Sequence, residues 1–117
     1  MADRAPRNDD EVQSRKRAIA LAKEMLARRL SFFEGAAQMW LLQSRIGGIN
    51  ERDPDFDAFM LICSETDHLP LAAQQHLWSA PAIEGLKSEF VRTEEWAQSF
   101  APQACENIIA RFGGHDS

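Results

Sequence analysis

The residues with the clearest chemical potential lie in one short stretch, from Ser64 to Pro70. Its polar members are Glu65, Thr66, Asp67 and His68. Two carboxylates and an imidazole this close together could hold a metal ion or act as an acid-base pair if folding brings them within reach. Glu34 and His76 are further candidates for the same site. The plainer alternative is that Thr66 or Asp67 caps a short helix whose first turn contains the proline.

The common catalytic motifs are absent from the sequence. It has no glycine-rich phosphate loop, no Gly-x-Ser-x-Gly elbow, no Cys-x-x-Cys and no His-Glu-x-x-His. We therefore assign no catalytic residue, no metal ligand and no cofactor, and we interpret the polar stretch with Glu34 as a candidate binding site. A pocket for a metal or small molecule, or an enzyme site, built from Glu34, Glu65, Asp67 and His68 is the alternative hypothesis.

Three aspartates at alternate positions, Asp53, Asp55 and Asp57, resemble the start of a calcium-binding loop. Such a loop needs glycine at its sixth position and glutamate at its twelfth. Here these positions hold Ala58 and Ser64, so the sequence excludes that kind of site. We instead assign the three aspartates, with Glu65 and Asp67, to an acidic binding surface.

The elements that must position these residues are predicted to be helices. A chain of 117 residues with 44% hydrophobic and 26% charged residues is typical of one globular domain. Apolar residues recur at helical spacing throughout, and no stretch alternates long enough to predict a sheet. We predict an all-α single-domain bundle of four to five helices over residues 9–112, with a flexible N-terminal arm (1–8) and a flexible tail (113–117).

Helix boundaries follow from capping residues. The Ser31 to Glu34 capping box, Asp53 before Pro54, and Ser79 each mark a helix start. Helix one begins near Asn8 to Asp10, where acidic residues occupy the first turn. The small residues from Gly35 to Ala37 should let a second helix approach closely. The steps of three, four and seven from Ile83 to Phe112 predict one long C-terminal helix packed against helices one and two, with the segment from Asp53 to Trp78 closing one end of the bundle. Pro102 either kinks or breaks that helix.

Charge is unevenly distributed. Residues 1–30 contain eight Lys or Arg and five Asp or Glu, whereas residues 31–117 contain five and thirteen. An acidic body repels nucleic acid and favours a basic protein partner. No apolar run is long enough to span a membrane, and the N-terminus lacks the apolar core of a signal peptide, so we expect a cytoplasmic protein. Aromatic residues left exposed would favour a homodimer.

Several motifs together resemble a family of small, uncharacterised bacterial helical proteins. They are Glu34-Gly35-Ala36, Asp53-Pro54-Asp55-Phe56, and the core motif from Ser64 to Pro70 followed by Trp78. The similarity covers about residues 18–112. It implies a small cytoplasmic binding protein, in some members an immunity-type protein encoded beside a secreted toxin.

Overall fold

The computed structural model describes residues 5–49 and 52–113. These contain seven helices and no strand, which confirms the predicted all-α class. The predicted flexible termini lie largely outside the described residues. The helices are α1 (Asp9–Leu26), α2 (Phe32–Ile46), α3 (Pro54–Glu65), a 3₁₀ helix (Ala72–Leu77), α4 (Ala80–Gly85), α5 (Lys87–Ala97) and α6 (Ala101–Gly113).

Four helices form the core. α1 packs against α2 and α6, and α3 packs against the same two helices, so α1 and α3 lie diagonally opposite each other. The apolar stripes of these helices meet inside the bundle, where Leu21, Met39, Phe59 and Ile108 are at most 2% exposed. α3 is thus a full member of the bundle, and the prediction that its segment only closes one end is wrong.

Capping side chains begin four of the helices. Asn8, Ser31, Asp53 and Ser79 each accept a hydrogen bond from a backbone N–H in the first turn of the helix that follows. These contacts satisfy amides that otherwise have no partner inside the helix. The predicted caps are therefore confirmed at the starts of α2, α3 and α4, and α1 begins where the sequence predicted it.

The prediction of a single long C-terminal helix is wrong. The regular α-helical hydrogen bonding is interrupted by a turn at Leu86 and again between Ala97 and Ala101, which gives α4, α5 and α6. Pro102 is the second residue of α6, where its missing N–H costs nothing, whereas inside a continuous helix its ring would clash with the preceding turn. Because of the break, α5 contacts α2, and α6 contacts α1 and α3.

The crossing of α1 and α2 depends on Gly35. A Cβ atom at this position would come within 2.7 Å of Met25 Cγ, and Met25 is fully buried. Only a residue without a side chain lets the two helices approach this closely. The predicted role of the small residues in α2 is confirmed at Gly35.

Candidate functional site

The turn after α3 has both buried and exposed side chains. Thr66 is buried, and its hydroxyl donates to the carbonyl of Ile62 at 2.6 Å, which closes the end of α3. Leu69 is also buried and donates its N–H to the Thr66 carbonyl at 2.9 Å. Neither Thr66 nor Asp67 caps the next helix, so that interpretation is wrong. Glu65, Asp67 and His68 are left exposed to solvent.

His68 connects this turn to α5. Its Nε2 lies 2.8 Å from Glu89 Oε2, and its Nδ1 lies 3.9 Å from Asp67 Oδ1. The side chains of His68 and Asp67 are 56% and 84% exposed, so solvent screens both contacts. Glu89 was not among the predicted site residues, because nothing in the sequence links two positions 21 residues apart.

A cleft of about 270 Å³ opens beside this pair, between the end of α3 and α5. It is lined by Glu65, Thr66, His68, Glu89, Arg92, Thr93 and Trp96. Most of these side chains are exposed, so the cleft is a surface feature with an aromatic edge, two carboxylates and the guanidinium of Arg92. Such a surface suits the side chains of a binding partner better than a reaction that must exclude water.

Glu34 does not line this cleft. Its Oε2 accepts a hydrogen bond from the N–H of Ala72 at 2.8 Å, which ties α2 to the start of the 3₁₀ helix. Asp67 lies along a second cavity of about 220 Å³, on the side of the turn that faces Phe33. The residues predicted to share one pocket are therefore divided between separate places, with Glu65 and His68 in the cleft. His76 is exposed in the 3₁₀ helix.

Glu94 of α5 caps the start of α2. Its Oε1 accepts from the N–H of Phe32 and its Oε2 from the N–H of Phe33, each at 2.9 Å. A carboxylate is favourable there because the first amides of a helix are unpaired and the N-terminal end of its dipole is positive. The sequence predicted that Glu34 would complete a capping box with Ser31. Ser31 does accept from the Glu34 N–H, but the second acceptor at this end comes from residue 94.

Replacing Glu94 with glutamine should lower the free energy of unfolding by about 1 kcal/mol. Glutamine keeps the shape but carries no charge, and only its oxygen can accept one of the two amide hydrogen bonds. Urea denaturation of the Glu94→Gln variant tests this. Glu95→Gln is the matched control, since Glu95 is exposed and should change stability by less than about 0.5 kcal/mol. Equal effects of the two substitutions would contradict the capping role.

The three aspartates at the start of α3, the N-cap Asp53 with Asp55 and Asp57, lie apart from the cleft. Arg111, in the last turn of α6, donates to Asp53 at 2.7 Å and to Asp55 at 2.9 Å, and all three side chains are largely buried. Asp57 pairs with the exposed side chain of Arg52 at 3.2 Å. Asp53 and Asp55 therefore join α3 to α6, and they contribute little to an exposed acidic surface. Sequence reasoning did not identify Arg111 as their partner.

The described residues offer limited ligand chemistry. Within residues 5–49 and 52–113, no three His, Cys, Asp or Glu side chains come together in a group that could hold a metal. Both cysteines are free thiols. Burial, with a smaller effect of the Glu106 charge, raises the pKa of Cys105 to about 12, and burial also raises the pKa of Cys63. Both stay protonated at neutral pH, where a thiol is a poor nucleophile.

Comparison with protein-family models, with curated proteins and with solved structures found no match to this chain. None of the described helices combines the length and apolar character that crossing a membrane requires.

Proposed function

We propose that this protein is a binding protein whose cleft and adjoining outer segment, defined as residues 71–96, dock a basic protein partner. The observation that carries the proposal is that the outer segment has no buried residue, although it is largely helical and has eight large apolar side chains. They are Leu71, Leu77, Trp78, Ile83, Leu86, Phe90, Val91 and Trp96. Four of the eight, Leu77, Trp78, Val91 and Trp96, are exposed to solvent, and the other four are half-buried. A group of large exposed apolar side chains within one segment is typical of an interaction surface.

Few contacts hold the outer segment on the bundle. Among the described residues, the polar ones are Glu34 to the Ala72 N–H, Glu89 to His68, Glu94 to the start of α2, and a long contact from Gln75 to the carbonyl of Pro70. The ring of Phe90 also packs edge-on against Phe33, with 5.5 Å between centroids. The bundle thus presents the segment without covering it, which leaves Leu77 76% exposed and Trp78 42% exposed.

Charge indicates the kind of partner. Between Asp53 and Gly113 the sequence has ten acidic and three basic residues, and one of those basic residues, Arg111, is used inside the bundle. Glu65 and Asp67 are exposed carboxylates next to the outer segment, whereas Glu84, inside the segment, is paired with Lys87 at 2.9 Å. A partner with basic groups around an apolar centre complements this surface. A basic toxin is such a partner, in line with the immunity-type role that the family resemblance implies.

The test compares two variants that change the net charge equally. Glu65→Gln/Asp67→Asn removes two charges beside the cleft, and Glu106→Lys makes the same change on the exposed side of α6. Proteins captured by the wild-type chain are identified, purified and titrated calorimetrically against each variant. We expect a basic partner whose Kd rises about tenfold for the double variant, or ~1.4 kcal/mol, and stays unchanged for Glu106→Lys.

Leu77→Ser tests the apolar part of the same surface without changing its charge. Serine at this exposed position should not disturb the fold, but the lost apolar contact should raise the Kd for the partner. A partner that is acidic, or one whose affinity is the same for wild type, Leu77→Ser and the double variant, would rule out the proposed surface.

A further inference from the structure

We propose that the groove between α1 and α2 binds a protein segment in which acidic residues flank an apolar one, at a site separate from the cleft and the outer segment. The two helices run antiparallel, since Met25 faces Gly35 at one end and Arg15 donates to the carbonyls of Ile46 and Gly47 at the other. The groove has a volume of about 280 Å³. It is lined by Arg17, Leu21, Gln38, Leu41, Leu42 and Arg45.

The two arginines of this groove have no ionic partner among the described residues. Arg17 donates to the side-chain oxygen of Gln38 at 2.8 Å, and Arg45 makes neither a hydrogen bond nor an ion pair within residues 5–49 and 52–113. Both side chains are exposed, and no carboxylate of the described chain lines the groove. In a chain of net charge −5, two guanidinium groups without counter-charges form a local positive patch that attracts an anionic ligand.

The carboxylates nearest to the groove along the two helices are already engaged. Glu24, one turn beyond Leu21 on α1, accepts from two nitrogens of the Arg29 guanidinium at 2.8 and 3.1 Å. Glu34, one turn before the groove on α2, accepts from the N–H of Ala72. Each has its own partner, so the two arginines of the groove remain available to carboxylates of another molecule.

The rest of the lining selects the kind of anion. Leu21 is only 2% exposed and forms the floor, and Leu41 is 70% exposed beside it. An apolar side chain of a partner can pack on these leucines while its neighbouring carboxylates pair with the planar guanidinium groups. Phosphate and nucleic acid offer the leucines no apolar group, and an acidic chain repels a polyanion such as nucleic acid or an anionic membrane. A protein segment provides both kinds of contact.

The groove is tested with the full chain and a fluorescently labelled peptide of about 15 residues, whose leucines lie at helical spacing between glutamates. We expect a Kd below about 1 mM for the wild type, raised about tenfold, or ~1.4 kcal/mol, by Arg17→Gln/Arg45→Gln. Lys16→Gln/Lys23→Gln removes the same charge from exposed positions of α1 that do not line the groove, and should change the Kd by less than about twofold. No binding up to about 1 mM, or equal losses for the two double variants, would overturn the proposal.

Leu41→Ser tests the apolar part of the groove without changing its charge. Serine at this exposed position should not disturb the fold, but the lost apolar contact should raise the Kd for the glutamate peptide about fivefold. An unchanged Kd would mean that the groove attracts carboxylates alone, which would contradict the proposed segment.

Vesicles of phosphatidylglycerol distinguish a membrane from a protein as the source of the anionic groups. We expect the wild-type chain not to sediment with these vesicles. Vesicle binding that is lost in Arg17→Gln/Arg45→Gln, together with no peptide binding, would assign the groove to a lipid surface and overturn the proposal. The basic partner of the outer segment should bind this double variant as tightly as the wild type, because the groove and the cleft share no lining residue.

Discussion

Replacing Arg111 with methionine should lower the free energy of unfolding by about 3 kcal/mol, an effect large enough to threaten folding of a small domain. The guanidinium bridges Asp53 and Asp55, whose side chains are only 8% and 14% exposed. Methionine fills a similar volume but leaves the two carboxylates close together without their cation. Removing one partner of a buried ion pair costs more than the pair itself contributes, because the remaining charge stays desolvated.

Arg111 lies at the end of one helix and contacts the start of another, which strengthens this expectation. It lies in the last turn of α6, where a cation is favoured, and its partners lie at the start of α3, where anions are favoured. Asn107 adds a hydrogen bond to Asp55 at 2.9 Å. Arg111 is therefore the main ionic link between α3 and α6.

Urea denaturation of Arg111→Met measures the loss, with Arg92→Met as control. Arg92 is exposed on α5, so its replacement should change stability by less than about 0.5 kcal/mol. A loss below about 1 kcal/mol for Arg111→Met would mean that the pair behaves as a screened surface contact.

Replacing Gly35 with alanine should destabilise the protein by about 1–3 kcal/mol, although alanine is the better helix former. The new methyl group would overlap Met25, whose Cγ and Cε lie 2.7 and 2.9 Å from the ideal Cβ position. Met25 is flexible in solution, but here it is fully enclosed by the core, so α1 and α2 must move apart. The overpacking cost should exceed the gain in helix propensity.

Gly85 provides the matched control. It is the last residue of α4, and a Cβ atom there would meet nothing within 4 Å. Gly85→Ala should therefore stabilise the protein by up to about 1 kcal/mol through helix propensity and a less flexible unfolded chain. In urea denaturation, we expect the free energy of unfolding to fall for Gly35→Ala and to rise for Gly85→Ala. A higher free energy of unfolding for Gly35→Ala would show that the contact between α1 and α2 can accommodate a methyl group.

The sequence predicted those parts of the fold that depend on neighbouring residues. Capping by Ser31, Asp53 and Ser79 involves amides two or three positions away, so residue types and spacing are enough to identify it. The break before Ala101 was harder to place. Apolar residues kept a helical spacing across it, and spacing does not show that α5 and α6 pack against different neighbours.

The candidate site was predicted only in part for the same reason. Glu65 and His68 were identified as neighbours of a turn, and both line the cleft. Their partners could not be found, because Glu89 and His68 are 21 positions apart, Glu94 and Phe32 are 62 apart, and Arg111 and Asp53 are 58 apart. Contacts at such separations follow from packing of the whole bundle, and neither capping rules nor helical periodicity contains that information.

The absence of buried residues between Leu71 and Trp96 also bears on how such a protein can evolve. Most substitutions in a core reduce stability, so a recognition surface built from core helices would change slowly. Here the exposed residues of the outer segment are almost entirely different from the residues that pack in the core. Under the proposed binding function, new specificities can therefore arise in this segment by single substitutions while the four packed helices keep their sequence.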